Sequence, residues 1–251
     1  MKLIFLGVGE AFDNNLPNNS LLILSDTKLL LDCGYSIPQQ LWKYNEDPEF
    51  LDAIYLSHPH ADHYFGLPAL FVRMWEDNRK KPLTIICQKD MQKLIEQALE
   101  IGYKGFKEKF EFSINFIEVE AGQQLMIKEF VLNFAPTTHS ADNLAIKICN
   151  GENCLCYSGD GMFNQNTVVL YKNSDLLVHE AYLYDEQKIG HASIQDLINM
   201  AINNNIKTLA LTHINRNLRK QISEIKDKIS QLDAKDLNII IPEPLEVFKI
   251  N

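Results

Sequence analysis

The stretch SHPHADHYFG, residues 57–66, holds three of the seven histidines of this 251-residue chain within six positions. The candidate metal donors in it are His58, His60, Asp62 and His63. Imidazole nitrogens and carboxylate oxygens suit zinc best, and manganese or iron less well. The spacing therefore predicts a metal site, with zinc as the preferred ion and manganese and iron as alternatives.

The motif follows the apolar run AIYLS, residues 53–57, which has the composition of a buried strand. Pro59 favours extended backbone around His58 and opposes a helix through the motif, so His58 and His60 can face one pocket. One zinc ion needs about three protein ligands beside a water molecule. Four donors in one motif therefore indicate two ions, whose remaining ligands come from elsewhere in the chain.

Three further donor residues directly follow predicted strands. Singly, each is more typical of an ordinary loop histidine or turn aspartate. Their shared position at strand ends favours a common metal-binding edge, because loops at strand ends carry most functional side chains. These residues are His139 after FVLNFA, Asp160 after CLCYS and His213 after KTLALT.

Apolar runs rich in β-formers alternate with helical patterns along the chain. Helical spacing occurs in residues 91–99 before Gly102, after the N-cap candidate Ser193, and from Leu218 to Ile229. No linker or sequence repeat divides the chain, so we predict one α/β domain, residues 1–251, with two sheets face to face and helices outside. The predicted strands are 2–7, 20–24, 28–32, 53–57, 130–135, 144–149, 154–158, 175–180 and 207–212.

The composition narrows the class of protein. A net charge of −9 disfavours a broad nucleic-acid surface, and the basic run 79–81 is more typical of a solvated loop than of a phosphate contact. No run of eighteen apolar residues is present, so we expect a cytoplasmic protein that does not enter a membrane.

The five cysteines contain no CxxC pair, and Cys154 and Cys156 share one face of a strand. We expect reduced, mostly buried thiols.

The motif HPHADH, followed by His139, Asp160 and His213, resembles the signature of the metallo-β-lactamase fold hydrolases. The resemblance covers nearly the whole chain and implies a four-layer αβ/βα sandwich with the metals in a cleft between the sheet edges. It implies two ligand sets with one bridging residue and one supporting residue. These are His58, His60 and His139 for one ion, Asp62, His63 and His213 for the other, Asp160 as the bridge, and Asp32 of LLLDCG orienting a ligand by a hydrogen bond.

HEAY, residues 179–182, and GHAS, residues 190–193, are similar to paired segments of the ribonuclease Z and small phosphodiesterase branch. This likeness implies that Glu180 and His191 lie near the scissile phosphate. The carboxylate would raise the basicity of the histidine that protonates the leaving group. Asp62 is expected to join them in catalysis. A helix-capping role is the alternative for His191, whereas His179 should face the core.

Two departures from that branch limit the expected substrates. Ribonuclease Z enzymes carry a long arm that grips transfer RNA, but only twenty residues separate His139 from Asp160 here. Long RNA is therefore an unexpected substrate. The segment GVGEAF places Glu10 where the family has Ser, and Phe12 where a dinucleotide fingerprint needs its third glycine, so it predicts no nucleotide cofactor.

The aromatic stretch YFGLPALFVRMW, residues 64–75, favours a helix buried by its apolar face. Two alternatives remain open at this level. Tyr64, Phe65 and Trp75 could line the mouth of the pocket, or the stretch could form the surface of a homodimer.

We expect a dinuclear zinc hydrolase in which two cations lower the pKa of a bridging water towards about 7. The favoured substrate is a small or nucleotide-derived phosphodiester. A hydrolase of carboxylic esters, lactones or thioesters is the first alternative, because the same metals polarise a carbonyl group. The second alternative is a metal-binding partner protein without turnover.

Overall fold

A computed structural model of the chain describes residues 1–186, 188–232, 234 and 236–250. Its secondary structure consists of both strands and helices. In these residues the strands are β1 (Lys2–Gly7), β2 (Ser20–Leu24), β3 (Lys28–Leu31), β4 (Ala53–Tyr55), β5 (Leu83–Gln88), β6 (Ile114–Val119), β7 (Gln124–Ile127), β8 (Phe130–Pro136), β9 (Leu144–Cys149), β10 (Cys154–Tyr157), β11 (Leu176–Glu180), β12 (Thr208–Thr212), β13 (Asn238–Ile240) and β14 (Val247–Lys249). The helices are α1 (Ile37–Tyr44), α2 (Ala61–Tyr64), α3 (Leu67–Glu76), α4 (Met91–Gly102), α5 (Gln165–Tyr171), α6 (Ile194–Asn203), α7 (Arg216–Arg219) and α8 (Ile222–Ser230).

Two sheets, each with seven strands in the described residues, pack against each other. Their orders are β14-β1-β2-β3-β4-β5-β6 and β13-β12-β11-β10-β9-β8-β7. In each sheet an antiparallel meander continues into parallel strands, from β3 to β6 and from β10 to β13. Helices connect the parallel strands because parallel neighbours need a crossover.

Three apolar clusters correspond to the three interfaces between four layers. One fills the space between the sheets and includes Phe5, Tyr55 and Tyr157. A second lies under α1, α3 and α4, and a third lies under α5, α6 and α8. The predicted four-layer αβ/βα sandwich is confirmed.

All nine predicted strands are present, with ends that differ by at most two residues. Ser193 caps α6, since its Oγ accepts from Asp196 N at 3.2 Å. The third predicted helix is interrupted near Lys220 and forms α7 and α8. Helix α4 includes Gly102 and ends one residue later than predicted. None of the helices in the described part of the chain has the length and apolar character that a membrane span requires.

The aromatic stretch 64–75 contains the core helix α3. Leu67, Leu70, Phe71 and Met74 are buried on one face of this helix, at the helical spacing that the sequence predicted. The favoured interpretation of the stretch, a helix buried by its apolar face, is therefore confirmed.

The expectation of reduced cysteines is wrong for one pair. Cys149 and Cys154 form a disulfide across the β9–β10 hairpin, where they are paired residues of adjacent antiparallel strands. The signal was the spacing CNGENC, in which a short turn brings two cysteines opposite each other. Cys33, Cys87 and Cys156 are free and buried, and burial raises the pKa of the Cys156 thiol to about 12.

The basic run 79–81 is not simply a solvated loop, because the guanidinium of Arg79 is fully buried. Its nitrogens donate to the carbonyl oxygens of Pro48, Leu51 and Pro82, the last two at 2.8 and 3.0 Å. Neither a solvated role nor a phosphate contact fits this arrangement. Arg79 ties the end of α3 to the loops before β4 and β5.

Replacement of Arg79 by Met should lower the free energy of unfolding by about 3 kcal/mol, because three buried carbonyls lose a charged donor. Urea denaturation measures the change. Lys80→Met is the matched control, since the Lys80 side chain is exposed, and its effect should stay within about 0.5 kcal/mol. Equal effects of the two substitutions would contradict a special role for Arg79.

Candidate metal centre

The predicted metal donors meet at one cleft, at the edge where strands of both sheets end. Donors from the first sheet follow β4 and lie before or within α2, while donors from the second sheet follow β8, β10 and β12. The cleft has a volume of about 390 Å³. Its donors fall into two groups, His58, His60 and His139 in one and Asp62, His63, Asp160 and His213 in the other.

Three imidazoles form the first donor group. His58 Nε2 and His139 Nε2 lie 3.0 and 3.2 Å from His60 Nδ1. The opposite ring nitrogens are already engaged, since His58 Nδ1 lies 3.0 Å from Ser57 Oγ and His139 Nδ1 donates to Gly190 O at 3.1 Å. Tetrahedral ligands at 2.0–2.1 Å from zinc lie about 3.3 Å apart. The spacing of the three nitrogens therefore fits one ion.

The second donor group combines two imidazoles with two carboxylates. His63 Nε2 lies 3.2 Å from Asp62 Oδ2 and 3.5 Å from Asp160 Oδ1. His213 Nε2 lies 3.6 Å from Asp62 Oδ2 and 3.3 Å from Asp160 Oδ2. Asp160 Oδ2 is also 4.0 Å from His58 Nε2. The carboxylate of Asp160 therefore lies between the two groups.

Several buried donor atoms have no hydrogen-bond partner among the described residues. They include His63 Nε2, His213 Nε2 and Asp160 Oδ1. Buried polar atoms in proteins almost always have a partner, so exceptions indicate a site for a bound water or ion. A set of nitrogen and oxygen donors that converge in this way fits a cation of the zinc, manganese or iron type.

The electrostatics differ between the two groups. Burial lowers the pKa of His58 well below its ordinary value, with a contribution from nearby His63, and burial also lowers the pKa of His60. Burial alone would lower the pKa of His63, but the carboxylate of Asp160 raises it well above the ordinary value. The same carboxylate outweighs burial at His213 and raises its pKa to about 9. His58 and His60 are thus neutral at pH 7, whereas His63 and His213 carry protons.

Asp32 supports the site through hydrogen bonds. It is fully buried, and its φ is 59°. Its Oδ1 accepts from Ser57 N, and its Oδ2 accepts from Ser57 Oγ, Tyr157 OH and His63 Nδ1, each at 2.7 Å. Because His63 Nδ1 donates to Asp32, His63 Nε2 faces the second donor group. Asp32 thus accepts a hydrogen bond from His63, one of the predicted donors. Ser57 and Tyr157 are further partners of Asp32 that sequence reasoning missed.

Asp160 is presented by a glycine-flanked turn that has no room for side chains. Gly159 and Gly161 have φ of 59° and 107°. A Cβ on Gly161 would lie 2.5 Å from Thr137 Oγ1. Asn143, a second residue missed from sequence, accepts from Asp160 N at 3.1 Å. The turn therefore fixes the carboxylate between the two groups.

Glu180 and His191 lie beside the donor groups, as the sequence predicted. The buried Oε1 of Glu180 accepts from Gly161 N at 3.1 Å and Ala192 N at 3.0 Å, and it lies 3.3 Å from His191 Nδ1. One carboxylate thus holds both the turn after Asp160 and the loop that carries His191. His179 is a core residue as expected, and its Nδ1 donates to Glu180 O at 2.7 Å.

Side chains from three further loops line the same cleft. They lie just after β1, β3 and β11, so the rule of strand ends would have found them. These side chains, to which the sequence gave no role, are Phe12, Tyr35, Tyr182 and Lys188. The stretch 64–75 does not reach this cleft in the described structure.

Only the hairpin β9–β10 and its flanking loops separate His139 from Asp160. Strand β10 follows β9 after a turn of four residues, 150–153. An extended arm is therefore absent from this part of the chain, all of which the structure describes.

The chain is similar to curated ribonuclease Z proteins along its whole length. It is 27% identical to ribonuclease Z of Methanocaldococcus jannaschii over 313 aligned positions, which cover 100% of this chain and 97% of that protein. Since the alignment is longer than the 251 residues of this chain, the relative contains segments that this chain lacks.

Two solved structures establish the fold. The short form of human tRNase Z matches with a TM-score of 0.80 and 21% identity over 100% of both chains. The metallo-β-lactamase fold protein YhfI of Bacillus subtilis matches with a TM-score of 0.79 and 24% identity over 98% of both chains.

The predicted class, a metal-dependent hydrolase, is confirmed by these relationships together. A family model described as anti-Pycsar protein Apyc1 matches residues 1–233. Because the match extends over most of the chain, the protein belongs to the Apyc1 family of anti-Pycsar proteins, in the ribonuclease Z branch of the metallo-β-lactamase superfamily.

Proposed function

We propose that the protein is a phosphodiesterase that uses two zinc ions to hydrolyse small, nucleotide-derived phosphodiesters. One observation carries the proposal: two adjacent metal-donor groups and the Glu180–His191 pair share a single cleft. The donors suit divalent cations, and the pair supplies a proton donor for a leaving oxygen. The names of the curated relatives, ribonuclease Z, support a phosphodiester as the bond that is cleaved.

His58, His60 and His139 would hold one ion, Asp62, His63 and His213 the other, and Asp160 would contact both. When bound, a pair of divalent cations supplies a water nucleophile at neutral pH and neutralises charge on the attacked group. Asp32 keeps the ligand nitrogen of His63 directed at the site through its hydrogen bond to the other ring nitrogen.

His191 is placed to protonate the leaving oxygen. Its Nδ1 faces Glu180, so Nε2 is the ring nitrogen that remains to donate a proton in the cleft. The carboxylate stabilises the protonated ring and fixes its orientation. Asp62, which lines the cleft, would accept a proton from the attacking water in this proposal.

Small substrates are favoured over long RNA. A long polyanion is bound largely through many Lys and Arg contacts to phosphates, and these weaken as salt rises. The chain has a net charge of −9, and a short hairpin occupies the position of an RNA-gripping arm. The cleft volume of about 390 Å³ suits a compact ligand.

Zinc-loaded protein should cleave bis(p-nitrophenyl) phosphate and dinucleotide or cyclic nucleotide phosphodiesters, and should process precursor transfer RNA poorly at the same zinc concentration and low salt. Elemental analysis of the same preparation should give close to two ions per chain, and His60→Ala should lose metal and activity together. Turnover of lactones, esters or thioesters without any phosphodiester cleavage would refute the phosphodiesterase. Correct processing of the precursor at a rate similar to an arm-bearing enzyme would refute the preference for small substrates.

His191→Ala should keep its metals, because His191 belongs to neither donor group, but should slow phosphodiester cleavage by roughly 10²- to 10⁴-fold. The loss should be smaller for a nitrophenolate leaving group, which needs little protonation, than for an alkoxide. Glu180→Gln is the matched variant. It retains the oxygen that accepts from Gly161 and Ala192, and it should show a milder loss with the same leaving-group trend. Equal losses for good and poor leaving groups would exclude a general acid.

Metal binding to the second donor group should release about two protons per chain at pH 7, because His63 and His213 have raised pKa values and must be neutral to bind. His58 and His60 should contribute almost no protons when the first group binds metal, since burial already keeps both neutral. Affinity at the second group should therefore rise with pH from about 7 to 9.

Calorimetric titration with zinc in buffers of different ionisation enthalpy measures this release. His213→Ala should reduce the number of released protons by about one. Equal proton release from both groups, or an affinity at the second group that does not change with pH, would contradict the assigned protonation states.

A further inference from the structure

The loop that carries His139 and the turn that carries Asp160 are joined by backbone hydrogen bonds. Thr138 N donates to Met162 O at 2.9 Å, and Met162 N donates to Thr138 O at 3.0 Å. The two residues thus form an antiparallel bridge outside the strands. His139 belongs to the first donor group, whereas Asp160 belongs to the second. The backbone therefore brings ligands of both groups into one unit.

The buried side chain of Asn143 closes the same unit. Its Oδ1 accepts from Asp160 N at 3.1 Å, and its Nδ2 donates to Ser158 O and to Thr137 Oγ1, each at 2.8 Å. Thr137 Oγ1 in turn donates to Asp160 O at 2.6 Å. One amide and one hydroxyl thus hold both backbone polar groups of Asp160.

The partners of Asn143 fix the orientation of its amide. Asp160 N can only donate and Ser158 O can only accept, so an amide turned over would place donor against donor and acceptor against acceptor. The hydroxyl of Thr137 is both donor and acceptor, and it is used in both ways. Both N–H groups of the amide and the single hydroxyl proton are therefore engaged inside this unit.

The unit also packs against the segment that carries His58. A Cβ on Gly159 would lie 2.3 Å from Asn143 Oδ1 and 2.6 Å from Ser57 Cβ, so the turn before Asp160 has no free space on this side. Leu144 N donates to Ser57 O at 3.1 Å, and Ser57 directly precedes His58. Segments that carry ligands of both donor groups are therefore held through the same few contacts.

Thr137 and Asn143 lie outside the cleft and outside both donor groups. They can affect a bound ion only through the positions of His139 and Asp160. Hydrogen-bond partners of metal ligands fix the direction of the ligands and raise metal affinity. Here the partners hold the backbone of a ligand, so they fix the place from which the side chain reaches the ion.

Tyr157 offers a contrast, because it serves one donor group. Its hydroxyl donates to Asp32 Oδ2 at 2.7 Å, and the same oxygen accepts from His63 Nδ1. Tyr157 thus acts through Asp32 on the second group. No ligand of the first group is held by the Tyr157 hydroxyl among the described contacts.

We propose that Thr137 and Asn143 are positioning residues that couple the two donor groups, so that loss of their hydrogen bonds weakens the binding of both metal ions. The proposal rests on the two-ion site proposed above, and it is independent of the substrate. Its physical basis is that one hydrogen-bonded unit fixes both the loop of His139 and the turn of Asp160.

Thr137→Val keeps the shape of the side chain and removes the hydroxyl on which two of the hydrogen bonds depend. Competition with a chromophoric zinc chelator should show roughly 10- to 100-fold weaker binding of both ions. Thr137→Ser keeps the hydroxyl and should bind both ions as the wild type does. Asn143→Asp retains an acceptor for Asp160 N but loses the donor to Ser158 O, so it should also weaken both ions.

Two backgrounds assign each affinity to its donor group. His60→Ala leaves the second group intact, and His213→Ala leaves the first group intact. Thr137→Val should lower zinc affinity in both backgrounds. Tyr157→Phe is the matched control, which should lower zinc affinity in the His60→Ala background alone.

Thr137→Val and Asn143→Asp variants with wild-type affinities would overturn the coupling, and so would a loss in one background only. A metal-free Thr137→Val protein that unfolds at lower urea but binds zinc normally would assign Thr137 to stability alone, which also overturns the coupling. A wild type that binds fewer than two ions would refute the two-ion site and the coupling together. The expected affinities without any phosphodiester cleavage would instead count against the phosphodiesterase alone, because zinc binding is measured without substrate.

Discussion

The site depends on the hydrogen bonds that the carboxylate of Asp32 accepts. This carboxylate lies fully buried at the end of β3 and accepts four hydrogen bonds, from two atoms of Ser57 and from His63 and Tyr157. A buried carboxylate is tolerated only when its oxygens are satisfied in this way. Because Ser57 and His63 follow β4 of the first sheet and Tyr157 ends β10 of the second, one carboxylate connects the two sheets and fixes the direction of the His63 ring.

The two donor groups differ from the rest of the molecule, in which most buried polar atoms are paired by hydrogen bonds. In the second group, nitrogen and oxygen atoms converge without hydrogen-bond partners in the described structure, and His63 and His213 carry protons because carboxylates, above all that of Asp160, lie close by. Such an arrangement is unfavourable by itself. The apolar layers and the fixed turn around Asp160 hold it together, and a bound cation would relieve the convergence of lone pairs. Local conflict of this kind is typical of functional sites.

The sequence predicted the donors and their positions because each follows a strand with strong apolar character, as Asp160 follows β10. It did not predict β5, which is mostly buried. It also missed the edge strands β6, β7, β13 and β14, which are short or half exposed, so their residues lack a clear period. The buried ion of Arg79 was missed for another reason, because it depends on which loops meet in space, and local pattern carries no such information. The Cys149–Cys154 disulfide, by contrast, had a local signal in the spacing CNGENC.

The rim of the cleft is formed by the loops after β1, β3 and β11, and the contacts that fix these loops could not be predicted from local pattern. Glu10 and Arg216 are paired across 206 positions of sequence, and Glu10 also accepts from Phe12 N in the loop after β1. The floor of the cleft comes from strand ends of both sheets, so the fold itself determines it. The rim comes from loops after β1, β3 and β11, which can vary without disturbing the sheets. It follows that the fold determines where the donor residues of the cleft lie, whereas the rim depends on a few loop residues and their long-range contacts.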